Sequence, residues 1–242
     1  MRYGIFSDIH SNLEALTAVL DAYSSESIGQ YLCAGDVVGY GANPAECISK
    51  INNPSVITVA GNHDWAVCDL FRIDSFNPDA KEAIIWTKQT LDEEDKNFLK
   101  GLNVFYKNPD LTLVHGTLDS PRNFDYLTDS YGAWRIFKLL ETKVCFVGHT
   151  HVAGTFIKFG SNEILYVDDE TIPVEEGKKY IVNCGSVGQP RDCDPRAAYC
   201  IYDTDNNTIQ IKRIAYDVEA AGKKIVDAGL PGFLAERLKT GI

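Results

Sequence analysis

The sequence predicts an α/β fold, and three observations carry that expectation. Three times in the first 64 residues, a short apolar run ends in a polar turn and gives way to a helical pattern. After residue 150 the pattern changes to short alternating runs typical of β-structure. The composition, 45% hydrophobic and 24% charged, is that of an ordinary globular protein able to bury a core.

The elements follow in order. Tyr3 to Phe6 reads as a strand, with Ser7-Asp8-Ile9-His10 turning at its end. Leu13, Leu16, Val19 and Leu20 then share one helical face, with Ser11 or Asn12 as N-cap. Tyr31 to Ala34 is the second strand, closed by Gly35-Asp36, and Pro44 opens a helix over Ala45–Ile51. Val56 to Ala60 is the third strand, ending in Gly61-Asn62-His63-Asp64 as a polar turn. Such repetition predicts a largely parallel sheet with a ligand site beyond the carboxyl ends of its strands. Helices are expected over Asp79–Leu91, Glu93–Leu99 and Trp134–Leu140, and strands over Val104–Tyr106, Leu111–Val114 and Val144–Val147. The β-rich remainder comprises Thr155–Phe159, Ile164–Val167, Lys179–Val182, Ala198–Tyr202 and Thr208–Ile214. Asp205-Asn206-Asn207 predicts a hairpin between the last two, and 217–238 reads as two helices broken at Gly229-Leu230-Pro231. No linker or repeat divides the chain, so residues 1–242 are expected to form a single domain.

Composition also narrows function. A formal net charge of −11 argues against a duplex nucleic-acid surface and against an anionic membrane surface. No apolar stretch reaches the ~20 residues of a membrane span, and no signal-peptide core is visible. Seven cysteines, with no C-x-x-C pair, fit thiols in a reducing cytoplasm.

The histidines are the strongest signal. His10, His63, His115, His149 and His151 each follow a predicted strand directly. A surface or satisfied core position explains a lone histidine, but not five at strand ends beside Gly, Asp or Asn. With Asp8, Asp36 and Asn62 the set holds enough donors for two metal ions and one group to spare. In Asp8-x-His10 and His149-x-His151, residues two apart in an extended segment would point to one side.

The ordered series Asp8-x-His10, Gly35-Asp36, Gly61-Asn62-His63-Asp64, His115-Gly116 and Gly148-His149-x-His151 resembles the calcineurin-like metallophosphoesterase superfamily. The likeness extends to Asn183-Cys184-Gly185-Ser186-Val187-Gly188-Gln189-Pro190-Arg191-Asp192. That loop, with Gly39-Tyr40-Gly41, is similar to the small prokaryotic phosphodiesterase branch often labelled diadenosine-tetraphosphatase-like. The resemblance implies two mixed β-sheets packed as a sandwich flanked by helices. It implies that Asp8, His10 and His151 bind one metal, that Asn62, His115 and His149 bind a second, and that Asp36 bridges them. Mn, Fe, Zn, Ni and Co all suit such a donor set. His63 is left as the catalytic group facing substrate, either general acid or transition-state donor. Two divalent ions ~3.5–4 Å apart would activate a shared water and clamp the phosphoryl oxygens, which reconciles an acidic chain with an anionic substrate.

One departure is informative. Serine/threonine phosphatases of the superfamily resemble Gly-Asp-x-x-Asp-Arg-Gly after the second strand. Gly39 stands where that pattern has aspartate, and Tyr40 where it has arginine. The expected activity is therefore hydrolysis of a small or nucleotide-like phosphodiester. A phosphomonoesterase or protein phosphatase with the same metals, and a non-catalytic scaffold of the same fold, are the alternatives. Arg191 either binds a substrate phosphate or pairs with Asp192 or Asp194, and Tyr40 either touches the leaving group or packs in its loop. Asn183 either supports a metal ligand or only ends its strand, and Asp64 either orients His63 or caps a helix. Tyr126 and Trp134 are expected in the core rather than in a pocket.

Overall fold

A computed structural model of the chain describes residues 1–160 and 163–242. In chain order the elements are β1 (Arg2–Phe6), α1 (Leu13–Tyr23), β2 (Gln30–Cys33), α2 (Pro44–Ile51), β3 (Val56–Thr58), α3 (Asn62–Val67), α4 (Pro78–Thr90) and α5 (Glu93–Lys100). Then come β4 (Phe105–Lys107), β5 (Leu111–Val114), α6 (Ser130–Leu139), β6 (Val144–Val147), β7 (Gly154–Phe159), β8 (Glu163–Val167), β9 (Thr171–Pro173) and β10 (Lys179–Asn183). Last are β11 (Ala197–Asp203), β12 (Thr208–Ile214), α7 (Val218–Asp227) and α8 (Gly232–Glu236).

They form two sheets of six strands, ordered β3-β2-β1-β11-β12-β9 and β4-β5-β6-β10-β7-β8. The expected parallel sheet is only the first half of the first sheet. β1, β2 and β3 run parallel, but β11 joins β1 antiparallel and the hairpin at 204–207 carries the chain back as β12. The second sheet is mixed in the same way, with β5, β6 and β10 parallel and β7 antiparallel.

Period-two alternation explains the layering. Ile5, Leu32, Phe146, Val182 and Tyr202 point between the sheets and form the central core. Their neighbours Phe6, Cys33 and Ile201 point outward beneath α1 and α2, where Leu16, Val19, Tyr23 and Ile48 cover them. Cys145, Val147 and Ile181 point outward on the other sheet beneath Ala133, Ile136 and Phe137 of α6. The result is the helix-flanked two-sheet sandwich.

Most boundaries lie within a residue or two of expectation. Asn12 is the N-cap of α1, accepting from the Ala15 amide at 3.1 Å. α7 and α8 break at Gly229-Leu230-Pro231 and pack against Tyr40, Ala80 and Ala83. One reading changes. Asn62-His63-Asp64 is not a turn but the first turn of α3, with Gly61 at its N-cap. Among the described residues, no helix is long and apolar enough to cross a membrane, and all seven cysteines are free thiols.

Candidate metal centre

The parallel strands align their carboxyl ends on one edge of the sandwich. Asp8 and His10 follow β1, Asp36 follows β2, Asn62 and His63 follow β3, His115 follows β5, and His149 and His151 follow β6. All eight side chains are buried. Three groups of donors each fall within 4.8 Å of one another: Asp8, His10 and His151; His10, Asp36 and His63; Asp36, His115 and His149. Asn62 joins the last group, its Oδ1 3.2 Å from His115 Nε2.

The local backbone differs from the extended segments expected. Asp8, His10, Asp36, His149 and His151 all have φ between 48° and 70°. Residues with a Cβ pay for left-handed geometry, and such strain gathers where a site demands it. The two-apart spacing still converges, through turns rather than strands. Gly61 is required beside them, because a Cβ there would collide with the Asp36 carboxylate and amide.

Hydrogen bonds decide which ring nitrogens carry protons. His10 Nδ1 lies 3.1 Å from the Val38 carbonyl, and His151 Nδ1 lies 2.6 Å from the Gln189 carbonyl. A carbonyl only accepts, so each Nδ1 holds the proton and each Nε2 presents a lone pair. Those two lone pairs face each other at 3.0 Å, with Asp8 Oδ1 3.2 Å from His151 Nε2. Burial first, then repulsion from His151 in His10 and the Arg191 charge in His151, lowers both imidazoles below their ordinary value and favours the neutral rings. Two lone pairs and a carboxylate aimed at one point lack a donor. A cation fits them.

The second group differs in that its central imidazole takes up a proton. His115 Nδ1 donates to Ala34 O at 2.8 Å, so Nε2 faces Asp36 Oδ2 at 3.3 Å and His149 Nδ1 at 3.1 Å. Burial would depress the His115 imidazole, but Asp36 and Asp8 outweigh it and push it up to about 9. Burial equally opposes ionisation of Asp8 and Asp36. The imidazoles prevail, chiefly His151 for Asp8 and His115 for Asp36, and hold both carboxyls below the usual range. The pocket thus carries fixed negative charge in a low dielectric and draws in positive charge wherever it can. Oxygen and imidazole donors with carbonyl-bound outer nitrogens suit divalent transition metals.

Asp64 does more than the helix cap offered by its place in the sequence. It does not orient the His63 ring. Its Oδ2 accepts from the Asp36 and Gly61 amides, both at 2.9 Å, and its Oδ1 accepts from Val37 at 2.8 Å and Val38 at 3.2 Å. It caps α3 and clamps the loop that carries Asp36. Burial and the Asp36 charge push its carboxyl up to about 7, against the pull of the Gly61 and Val38 amides. Asp64→Ala would orphan these buried donors. The expected cost is roughly 2–5 kcal/mol, read by denaturant unfolding, with metal affinity falling alongside. A loss under ~0.5 kcal/mol, ordinary for a surface site, would contradict the clamp.

The 183–192 loop is a brace. Ser186 Oγ and the Gly188 amide both donate to Asp8 O, at 2.8 and 2.9 Å. Asn183 Nδ2 donates to Gly148 O at 2.9 Å and Thr150 Oγ1 at 2.8 Å, holding the turn that carries His149, while its Oδ1 accepts from the Gly185 amide at 2.9 Å. The Gly185 N–H is therefore spent inside the loop and does not face a ligand.

Arg191 makes no ion pair among the described residues. Asp192 binds Arg213 and Asp194 binds Arg196. Instead Arg191 donates to Gln189 Oε1 at 2.9 Å and lies 5.7 Å over the Tyr40 ring. Both line a cleft of about 420 Å³ that also meets Asn62, His63, Phe76, Tyr126 and His149. Tyr126 is no core residue, being 57% exposed. Trp134 does not line this cleft; it stacks on Tyr131 beneath Lys138.

His63 sits among Tyr40, His10 and Phe76, with ring centroids 4.5 to 4.9 Å away. Its Nδ1 is buried with no partner among the described residues, and a Cβ on Gly39 would approach it to 2.5 Å. Burial, more than the opposing Asp36 charge, lowers its imidazole to about 4.

The chain matches the model of the calcineurin-like phosphoesterase superfamily domain over residues 1–207. It is 39% identical over 241 residues to the uncharacterized protein MJ0912 of Methanocaldococcus jannaschii, covering 98% of this chain and 97% of that one. The crystal structure of a metallophosphoesterase from Sphaerobacter thermophilus superposes with a TM-score of 0.86 at 37% identity, covering 100% of this chain and 99% of that one. The hypothetical protein PH1004 from Pyrococcus horikoshii OT3 shares the fold, with a TM-score of 0.81 at 18% identity over 100% of this chain and 98% of that one. Buried carboxylates and imidazoles on aligned strand ends, in a chain with these relatives, support a metal-dependent phosphoesterase, and the chain belongs to the calcineurin-like phosphoesterase superfamily.

Proposed function

We propose that the chain is a two-metal phosphodiesterase acting on a small or nucleotide-like phosphodiester. Asp8, His10 and His151 would hold one divalent ion, and Asn62, His115 and His149 the other. Asp36 would serve both, because it belongs to two of the three donor groups. Mn, Fe, Zn, Ni and Co fit equally, and such a pair of ions supplies an activated water and neutralises phosphoryl charge. The protein's own part is positional. Val38, Ala34 and Gln189 carbonyls fix the tautomers of His10, His115 and His151. Arg191, without a carboxylate partner among the described residues, offers its planar fork to a phosphoryl oxygen. His63 sits beside the donors and lines the cleft, where it can pass or share a proton with the leaving oxygen.

The observation that favours a diester is the cleft itself. Asn62, His63 and His149 line it together with Arg191 and the aromatic side chains of Tyr40, Phe71, Phe76, Phe124 and Tyr126. A diester bears two organic arms, and an aromatic lining of this extent offers apolar surface to an arm beyond the phosphoryl group. Seven free thiols fit a reducing cytoplasm. The test is to strip metal, reload each ion separately, and compare diester, monoester and dinucleoside polyphosphate hydrolysis. Diester turnover should dominate with at least one ion. Preference for monoesters would favour the phosphomonoesterase reading, and a metal-replete but inert protein the scaffold reading.

A further inference from the structure

The aromatic side of the cleft has a use that metal binding does not explain. Trp65, Phe124, Phe71, Phe76 and His63 form a continuous edge-to-face chain, with neighbouring centroids 4.9 to 6.1 Å apart. Edge-to-face contact is a stable way for such rings to satisfy one another. Tyr126 departs from it. Its ring lies parallel to the His149 imidazole, at 3.9 Å and 12°, yet the residue remains 57% exposed. It stands on the loop after β5 with one face on a candidate metal ligand and most of its surface in water. No neighbouring aromatic ring among the described residues other than His149 is stacked on it. An exposed tyrosine in a water-facing cleft does little to orient a histidine. It is an efficient way to present a flat apolar face next to a phosphate site.

We propose that Tyr126, which lines the cleft together with the half-buried Phe71 and Phe76, binds a planar aromatic ring carried by one arm of the substrate. The proposal rests on the phosphodiesterase reading and adds a specificity to it. The cleft's volume of about 420 Å³ lies within the ~300–1,000 Å³ typical of small-molecule sites. Arg191, His63 and His149 line the same cleft as the aromatic side chains, so one ligand can reach both. Asn77, Asn123 and Asp125 line the same space and offer polar groups to the edge of a heterocyclic ring. A nucleobase and a simple aryl group share the planar chemistry, and the choice of ligands separates them.

The experiment is calorimetric binding to metal-loaded protein of four phosphomonoesters: AMP, ribose 5-phosphate, phenyl phosphate and methyl phosphate. AMP should bind roughly tenfold to hundredfold tighter than ribose 5-phosphate, the worth of one base–aromatic stack. Phenyl phosphate gaining as much over methyl phosphate would indicate a general aryl site. A gain confined to AMP would indicate that the ring's edge is read as well, and either result supports the proposal. Tyr126→Ala should erase the difference while leaving ribose 5-phosphate affinity and metal content unchanged, and Tyr126→Phe should preserve it. Equal binding of AMP and ribose 5-phosphate by the wild type would overturn the proposal. So would a Tyr126→Ala effect equal for both ligands, since that would reduce Tyr126 to a support for His149. Because the readout is binding, a protein that hydrolyses no phosphoester would sink the proposed function and leave this comparison standing.

Discussion

Asp36→Asn is expected to lower bound metal after dialysis and to cut turnover by about 10³-fold. Asp36 Oδ2 lies 3.3 Å from His115 Nε2 and 3.7 Å from His10 Nε2, so it reaches both donor sets, while Oδ1 accepts from the His63 amide at 2.9 Å. Asparagine keeps the shape and can keep the His63 bond through its own Oδ1. It loses the charge and the second accepting oxygen, which are what a shared ligand needs. Several kcal/mol of charge stabilisation depend on the ions, and at about 1.36 kcal/mol per tenfold that gives the stated loss. Metal analysis should find depleted occupancy. Thermal unfolding should show a smaller metal-induced rise than wild type, because stabilisation by a ligand scales with its affinity. Full occupancy with a wild-type rise would remove Asp36 from the shared position.

That prediction uses residues that sequence alone brought forward, and the reason is chemical. A metal site needs particular side chains, so Asp8, Asp36 and the histidines announce themselves by type and by their place after apolar runs. The sandwich was legible for a related reason: strands buried on both faces must alternate between two apolar layers, as Ile5 and Phe6 do. β9 was missed because three residues with one buried side chain carry no periodicity. The antiparallel joining of β11 to β1 pairs residues about 200 positions apart, such as Arg2 with Asp203, and no local pattern encodes it.

The site shows the same division. The clamp by Asp64 was not legible because its partners are backbone amides at 36, 37 and 38, and every residue type except proline presents the same N–H. The brace from Ser186 and Gly188 to Asp8 is invisible for that reason too. Asn62-His63-Asp64 looked like a turn because its residues favour turns. Those preferences also suit a helix N-terminus, and the Asp64 cap decides between them. Tyr126 was assigned to the core by its apolar bulk. Its exposure depends on where the 116–129 loop runs, which composition does not fix.

His63→Ala is expected to keep metal content close to wild type while turnover falls ~10²–10⁴-fold, the usual worth of a positioned proton donor. The backbone amide of residue 63 still donates to Asp36 Oδ1 in the variant, so the donor set keeps its support. What disappears is a ring wedged between Tyr40 and Phe76 at the floor of the cleft. Among the described residues no carboxylate bonds its Nδ1. Nδ1 is buried against Gly39, where the related phosphatase pattern has aspartate, so nothing stabilises an imidazolium from that side. Burial therefore leaves the ring neutral at pH 7, and Nε2 is the atom from which a proton can meet the substrate. A neutral imidazole donates a hydrogen bond to charge developing in the transition state more readily than it delivers a whole proton. The two roles separate by leaving group. If His63 only donates a hydrogen bond to a phosphoryl oxygen, the variant should lose the same factor on an alkyl and a nitrophenyl diester. If it protonates the leaving oxygen, the alkyl ester should suffer far more, because nitrophenolate departs without a proton. The structure favours the first result, and wild-type turnover by His63→Ala on both esters would exclude His63 from the reaction altogether.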